Sequence, residues 1–213
     1  MSFDLLAPHY RWIEFVSAGE QLQQCRTALL ERVLKSKKVL IFGEGNGRFL
    51  AECGRQLPDA KITVVDASAR MLALAQRRLA GQGTSSTGID FICADALTWT
   101  PPAREFDLIV THFFLDCFRR EQVEMLIGKL AQAAAPRANW LLADFQVPAS
   151  GLARQRSRLI LWMLYRFFRV TTGLPGSVLT PPDDFLRQNG FALRERRLYD
   201  WELLHSDWWR LPD

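Results

Sequence analysis

The sequence lacks most features that would take it away from the soluble enzymes. Its four cysteines (Cys25, Cys53, Cys93 and Cys117) are widely spaced and form no C-x-x-C pair. That argues against a disulfide framework or a zinc site and predicts reduced, mostly core thiols in a cytoplasmic setting. No apolar run approaches bilayer length: the longest, Leu159 to Phe168, is about half of the ~20 residues a spanning helix needs. The N-terminus shows no basic, apolar and small-residue order of a secretory signal. A net charge of only +4 falls short of the Lys/Arg clustering of nucleic-acid-binding domains, so no nucleic-acid partner is expected. Repeats and long linkers are missing, and only "GQGTSSTG" from Gly81 to Gly88 reads as a loose loop.

What is present is a core and a pattern. With 48% hydrophobic residues in 213, one domain is the default. Short apolar runs alternate with amphipathic segments. Strands are expected at 39–42, 62–65 ending at Asp66, 89–93, 106–111 and near 139–145. Helices are expected at 48–57, 68–80 and 120–135, with Ser68 as N-cap and Met71, Leu72, Ala75 and Leu79 on one face. Such alternation implies a parallel sheet covered on both faces. The tail, "GFALRERRLYDWELLHSDWWRL", instead offers two strand-like segments joined near Asp200, an antiparallel hairpin at a sheet edge.

The sharpest local signal is "KKVLIFGEGNGRFLAEC", Lys37 to Cys53. An apolar run, Val39 to Phe42, breaks into glycines at Gly43, Gly45 and Gly47 before a helix resumes. Glycine permits positive φ and close approach of a ligand to the backbone, and the free N–H groups of the helix point back into the turn. A dinucleotide fingerprint would need its third glycine at position 48, which is Arg48, so a nicotinamide oxidoreductase is disfavoured.

The observed G-x-G-x-G resembles the first motif of class I S-adenosylmethionine (SAM) methyltransferases. Further residues carry the resemblance: Asp66 lies nineteen positions after Gly47, "D-A-S-A-R-M" runs from Asp66 to Met71, "CADA" places Asp95 after the third strand, and "FDLLAPHYRWIEF" opens the chain. The resemblance covers residues 1–147. It implies a doubly wound, mostly parallel seven-stranded α/β sheet with an antiparallel last strand and SAM as cofactor. It further implies cofactor contacts from Tyr10, Gly43, Glu44, Gly45, Asn46, Gly47, Asp66, Ala67, Met71, Asp95, Ala96 and His112. Among these, Asp66 would accept the ribose hydroxyls, Asp95 the adenine amino group and Ala96 would offer its N–H, while Tyr10 would approach the methionine carboxylate. One departure stands out: the family's acid before the first glycine is Ile41 here, with Glu44 or Asp144 as candidate replacements.

Methyl transfer is a displacement at a sulfonium methyl, so alignment and exclusion of water matter most. A base is needed only where the nucleophile must lose a proton. His112 and Asp116 in "THFFLDCF" are four apart and would share a face if the stretch turned helically. They are the catalytic candidates. The expected division is an N-terminal helical cap (1–36), a cofactor-binding core (37–147), a substrate cap (148–190) and the hairpin (191–213).

The segment Ala153 to Val170 has no place in the minimal sheet. At about 100° per residue, Arg154, Arg158, Trp162, Arg166 and Arg169 form one stripe, and Leu159, Ile160, Leu161, Met163, Leu164, Phe167 and Phe168 cover the opposite face. Three readings stay open: a cap over an apolar pocket, a subunit interface, or a helix lying on an anionic membrane surface. The leading function is methylation of a small, apolar or aromatic acceptor by a monomer or homodimer. The alternative is a non-catalytic SAM-binding or membrane-surface protein acting through the basic helix.

Overall fold

The computed structural model describes residues 19–81, 88–172 and 179–212. Tyr10 and most of the 81–88 loop lie outside these residues, as do the side chains of Phe167, Phe168 and Arg169. Six α-helices are described: α1 (Gly19–Thr27), α2 (Arg48–Gln56), α3 (Ala69–Gly81), α4 (Arg120–Ala133), α5 (Gly151–Thr172) and α6 (Asp183–Gln188). The strands are β1 (Lys38–Phe42), β2 (Lys61–Asp66), β3 (Ile89–Cys93), β4 (Phe106–His112), β5 (Ala134–Phe145), β6 (Ala192–Tyr199) and β7 (Leu204–Arg210).

The strands form one seven-stranded sheet in the order β3-β2-β1-β4-β5-β7-β6. Strands β1 to β5 pair in parallel, while β7 runs antiparallel to both β5 and β6. Alternation along β1 explains the two covered faces. Val39 and Ile41 point to one layer with Leu29, Leu30, Phe49, Leu50, Leu72, Ala75 and Leu79. Leu40 and Phe42 point to the other, with Val123, Leu126, Ile127, Leu130, Phe185, Leu186 and Trp140. A third cluster, Leu22, Cys25, Ala143, Leu161, Leu203 and Leu204, ties α5 to the end of β5 and the hairpin turn.

Two boundaries differ from expectation. Helix α4 stops at Ala133 and β5 begins at once, five residues earlier than the pattern near 139 suggested. Pro136 is the reason, since the residue before proline is pushed out of the helical region. Arg137 then takes a left-handed φ of 63°, and the β4–β5 register shifts between Phe106 and Leu108. The other difference lies in α5. Leu161 is 4% exposed and Ser157 is buried, and Trp162 (62%) faces outward with the arginine stripe, but Leu159 (58%) and Met163 (50%) also face outward. The apolar arc of α5 is wider than the surface beneath it, so part of the expected inner face stays outside.

The hairpin is fastened by charge. Asp207, fully buried, accepts bonds from Arg196 Nε (2.7 Å) and Nη2 (2.6 Å) and from Trp209 Nε1 (3.2 Å). The same guanidinium reaches Asp183 of α6 at 2.9 Å. Removing Asp207 would leave Arg196, which is partly exposed, with Asp183 alone. Asp207→Ala is therefore expected to cost about 1–3 kcal/mol in denaturant unfolding; a loss within the ±0.5 kcal/mol typical of surface changes would refute this role.

Candidate functional site

In open α/β sheets the ligand crevice lies beyond the carboxyl ends of the strands, where the strand order reverses. Here that place is between β1 and β4, which are followed by strands on opposite sides. The turn after β1 has positive φ at Gly43 (64°), Gly45 (69°) and Gly47 (83°). Two of these glycines are required by close neighbours. A Cβ on Gly47 would lie 2.7 Å from Ala75 Cα of α3, and one on Gly43 would lie 2.5 Å from the Phe114 ring. The openness of the turn thus serves internal packing at Gly47, while at Gly43 it brings an aromatic ring onto the crevice. Phe114 also meets Phe42 at 5.6 Å and Phe118 at 5.0 Å, and Trp99 meets Phe42 at 5.8 Å. They make one apolar wall.

Glu44 does not point away into solvent. Its Oε1 accepts the Leu50 N–H at 2.9 Å, so it caps α2 from inside the turn. Burial pushes its carboxyl up to about 7, against the pull of the Leu50 N–H, Arg26 and the Phe49 N–H. Arg26 of α1 went unnoticed in the sequence. It is 6% exposed, and its guanidinium lies 5.2 Å from the centre of the Phe113 ring. It is the buried cation nearest in effect to both Glu44 and His112. A lone arginine in a short helix gives no periodic signal, so only its burial reveals it. Asn46 is held through its carbonyl, which accepts Arg78 Nε at 2.8 Å.

Asp66 ends β2, where its Oδ1 accepts the Ser68 N–H at 2.9 Å. Ser68 caps α3 as expected, with Oγ accepting the Met71 N–H at 3.2 Å. Ala67 is exposed and Met71 is buried. Asp95 is exposed after β3, and its Oδ1 accepts the Leu97 N–H at 2.9 Å. Ala96 is buried beside it. The loop is fixed by another residue that pattern reading missed: Lys129 Nζ of α4 donates to the carbonyls of Ala96 (3.0 Å), Leu97 (2.8 Å) and Trp99 (3.0 Å).

The structure separates the two catalytic candidates. His112 is still in the extended strand β4, and the chain then turns at Phe113, a bulky residue with φ of 51°. No continuous helix puts His112 and Asp116 on one face. His112 packs edge-on against Phe49 of α2 at 4.4 Å, and among the described residues neither ring nitrogen has a partner. Burial, and next Arg26, hold its pKa well below the usual value, so the imidazole is neutral.

Asp116, in a single 3-10 turn (Leu115–Cys117), groups instead with Asp144 of β5. Asp144 is 2% exposed, and its Oδ1 accepts the Phe145 N–H at 2.8 Å. Burial, and then the charge of Asp116, push its carboxyl up, while the N–H groups of Phe145 and Asp116 pull the other way. Burial pushes Asp116 up to about 6. The Tyr165 hydroxyl of α5 completes the group: burial and both aspartates raise its pKa, and its buried oxygen has no partner among the described residues.

Residues 39–137 match a family model described as a methyltransferase domain. Solved structures agree. The N-methyltransferase NodS from Bradyrhizobium japonicum, solved with S-adenosyl-L-homocysteine, is 19% identical over 88% of this chain and 86% of its own, with a TM-score of 0.64. The mitomycin 7-O-methyltransferase MmcR gives a TM-score of 0.74 at 17% identity, and this chain spans 61% of its length while matching throughout. A SAM-dependent methyltransferase from Methanosarcina mazei matches at 16% identity over 86% of this chain and 96% of its own, with a TM-score of 0.64. The family match spans a little under half of the chain, and the seven-stranded sheet with its antiparallel β7 has the fold of the SAM-dependent methyltransferases. At such identities the likeness to solved structures is one of fold. A search of curated proteins finds no match to this sequence.

The residues present suit SAM, the cofactor of this fold. Two carboxylates at adjacent strand ends, Asp66 and Asp95, offer acceptors to hydroxyl and amino donors, and a buried guanidinium lies by the glycine turn for a carboxylate.

Two predictions follow from this geometry. Asp66→Ala should weaken SAM binding by about 1–3 kcal/mol, as a charged acceptor is lost. Unchanged affinity in calorimetry would leave Asp66 only its bond to Ser68. The second concerns stability. Carboxyls raised in the folded state lower stability as pH rises from the unfolded value near ~4 through the folded one. Asp144→Asn keeps an acceptor oxygen but cannot ionise, so it should raise Tm at pH ~8 and change it little at pH ~4. Equal shifts at both would show that no buried charge is being relieved.

Proposed function

We propose that the domain methylates a small acceptor held between the Asp116–Asp144 pair and Tyr165, with residues 37–147 binding the cofactor and 148–190 shaping the acceptor side. The observation that carries this reading is the pair itself: the half-buried carboxyl of Asp116 in the 3-10 turn after β4 and the buried one of Asp144 near the end of β5, beside a phenol of α5 whose oxygen has no partner among the described residues. Bound SAM supplies an electrophilic sulfonium methyl with an excellent leaving group. The chain's own residues must then bind, orient and move one proton.

In this reading Asp66 holds the ribose hydroxyls, and Asp95 with the Ala96 N–H holds the adenine edge beside Met71. The turn from Gly43 to Gly47 lies along the methionine end, where Arg26 supplies a cation for the carboxylate. Glu44 is tied to the N–H of Leu50, so its contribution is to hold the turn in shape. Tyr10 stays a proposal from the sequence alone.

The acceptor's proton passes to the shared carboxylates as its oxygen or nitrogen is alkylated. A base works best with a pKa close to the working pH, and burial brings Asp116 to about 6. The Tyr165 hydroxyl orients the nucleophile, and α5 keeps water out. His112 is neutral and sits on the other side of the strand end, with Arg26 and Phe49. It is better suited to shaping the methionine end than to taking the proton. The aromatic wall of Phe114, Phe118 and Trp99 favours an apolar or aromatic acceptor. NodS is an N-methyltransferase and MmcR an O-methyltransferase, and a carboxylate base serves either nucleophile.

The test is release of demethylated cofactor over a panel of small aromatic amines and phenols. Turnover should rise with pH through about 6, because the carboxylate must be ionised to act. Asp116→Asn should lower kcat by about 10²–10⁴, with SAM affinity retained. A protein that binds SAM, gains thermal stability from it and turns over no acceptor would support the non-catalytic alternative.

A further inference from the structure

The outer side of α5 has no role in the chemistry above, yet it carries the largest exposed apolar side chains of the helix. Leu152 is 76% exposed, Leu159 58%, Trp162 62% and Met163 50%. At helical spacing these four lie along one side of the helix over about 16 Å, opposite Ser157 and Leu161, which are buried. Leu161 packs with Ala143 of β5 and with Leu203 and Leu204 of the hairpin. The helix is therefore anchored along its inner edge and lies flat on the protein.

Charge on α5 has one sign, with acids only at the hairpin turn, where Asp200 and exposed Glu202 flank Trp201. The sequence of α5 contains five arginines and no acidic residue. Arg154, Arg158 and Arg166 are exposed. Arg166 reaches over the Trp162 ring at 5.9 Å, so cation and indole form one surface. At the hairpin turn Arg156 binds Asp200 at 2.9 Å and lies 6.0 Å from the ring centre of Trp201, which is 68% exposed. The apolar stripe and this second exposed indole are thus linked through Arg156.

We propose that this face docks on an anionic lipid bilayer. A flat helix with leucine, methionine and tryptophan outermost and arginine beside them matches an interfacial helix, whose apolar face sinks to the headgroup boundary while basic groups meet lipid charge. Indole rings favour that boundary. No described helix is long and apolar enough to cross a membrane, so the contact is peripheral. A second copy of the same face fits poorly, since its unopposed arginines would meet their equivalents. Nucleic acid would use the arginines but leave the leucines and methionine against water.

Co-sedimentation with vesicles of pure phosphatidylglycerol or pure phosphatidylcholine tests the proposal. The full chain should pellet with phosphatidylglycerol at low salt, stay in solution with phosphatidylcholine, and be released near ~1 M salt, where the Debye length is about 3 Å. Replacing Arg154, Arg158 and Arg166 together with Gln should lower the partition coefficient on the order of a hundredfold, each arginine contributing about tenfold or less. Leu159→Ser with Trp162→Ser should weaken binding even where the arginines remain. Both variants should keep SAM-induced thermal stabilisation, which separates lost docking from lost fold. Wild type that stays in solution with phosphatidylglycerol overturns the proposal. So does a dimer in light scattering that Trp162→Ser converts to monomer, since the face would then be an interface between copies.

Discussion

The site depends on how the chain leaves β4. Phe113 keeps its N–H on the Ala143 carbonyl at 2.7 Å, so the β4–β5 ladder holds while φ turns positive. A bulky residue in that region costs about 1–3 kcal/mol and persists only where its surroundings hold it. They do so here: Arg26 stacks on one side of Phe113, and Phe145 meets it at 5.3 Å. The turn lays the next ring, Phe114, on Gly43. It also brings Asp116 round to Asp144 while leaving His112 behind in the strand. One backbone conformation thus decides which side chains gather at Gly43, which join Asp144 and which stay with Phe49.

A second constraint is electrostatic. Glu44, Asp116 and Asp144 are all pushed up by burial, and His112 is pushed down. All four shifts have the same first cause, removal of water from the ionised form. The carboxyls differ in what relieves them. The charge of Glu44 is met by helix N–H groups and Arg26, whereas Asp144 must share its surroundings with another acid. Stability alone would favour neutral side chains at that place. Their presence beside a phenol with no partner among the described residues is the reason to assign them chemistry.

Much of the fold was legible because its signals are local and repeated. Val39 to Phe42, Ile62 to Asp66 and the face of Met71, Leu72, Ala75 and Leu79 each follow one period, and burial follows it too. The glycine turn was legible as a turn, but not the fact that α3 itself leaves no room for a Cβ at Gly47. What escaped depends on tertiary placement. Arg26 and Lys129 are ordinary helix residues until the fold surrounds them. Asp144 could be read as a strand-end acid, yet its partner could not be known while Asp116 was assumed to continue a helix with His112. A single φ at Phe113 undid that assumption, and no spacing rule announces a left-handed phenylalanine.

Helix α5 shows the same limit from the opposite direction. Periodicity divides a helix into a basic stripe and an apolar arc, but it cannot say how much of the arc the protein is able to cover. Here the surface offered by α1, the β5 end and the hairpin is narrow, and it takes Leu161 with Ser157 at its centre. Ile160 and Leu164 are partly covered beside them, while Leu159 and Met163 face outward. An apolar surface that could be replaced by polar residues at no cost to the fold is unlike the scattered exposed leucines of ordinary surfaces. Its four large side chains lie along one side of α5 and have cations next to them. Folding alone gives no account of that arrangement; contact with an apolar phase that carries negative charge does.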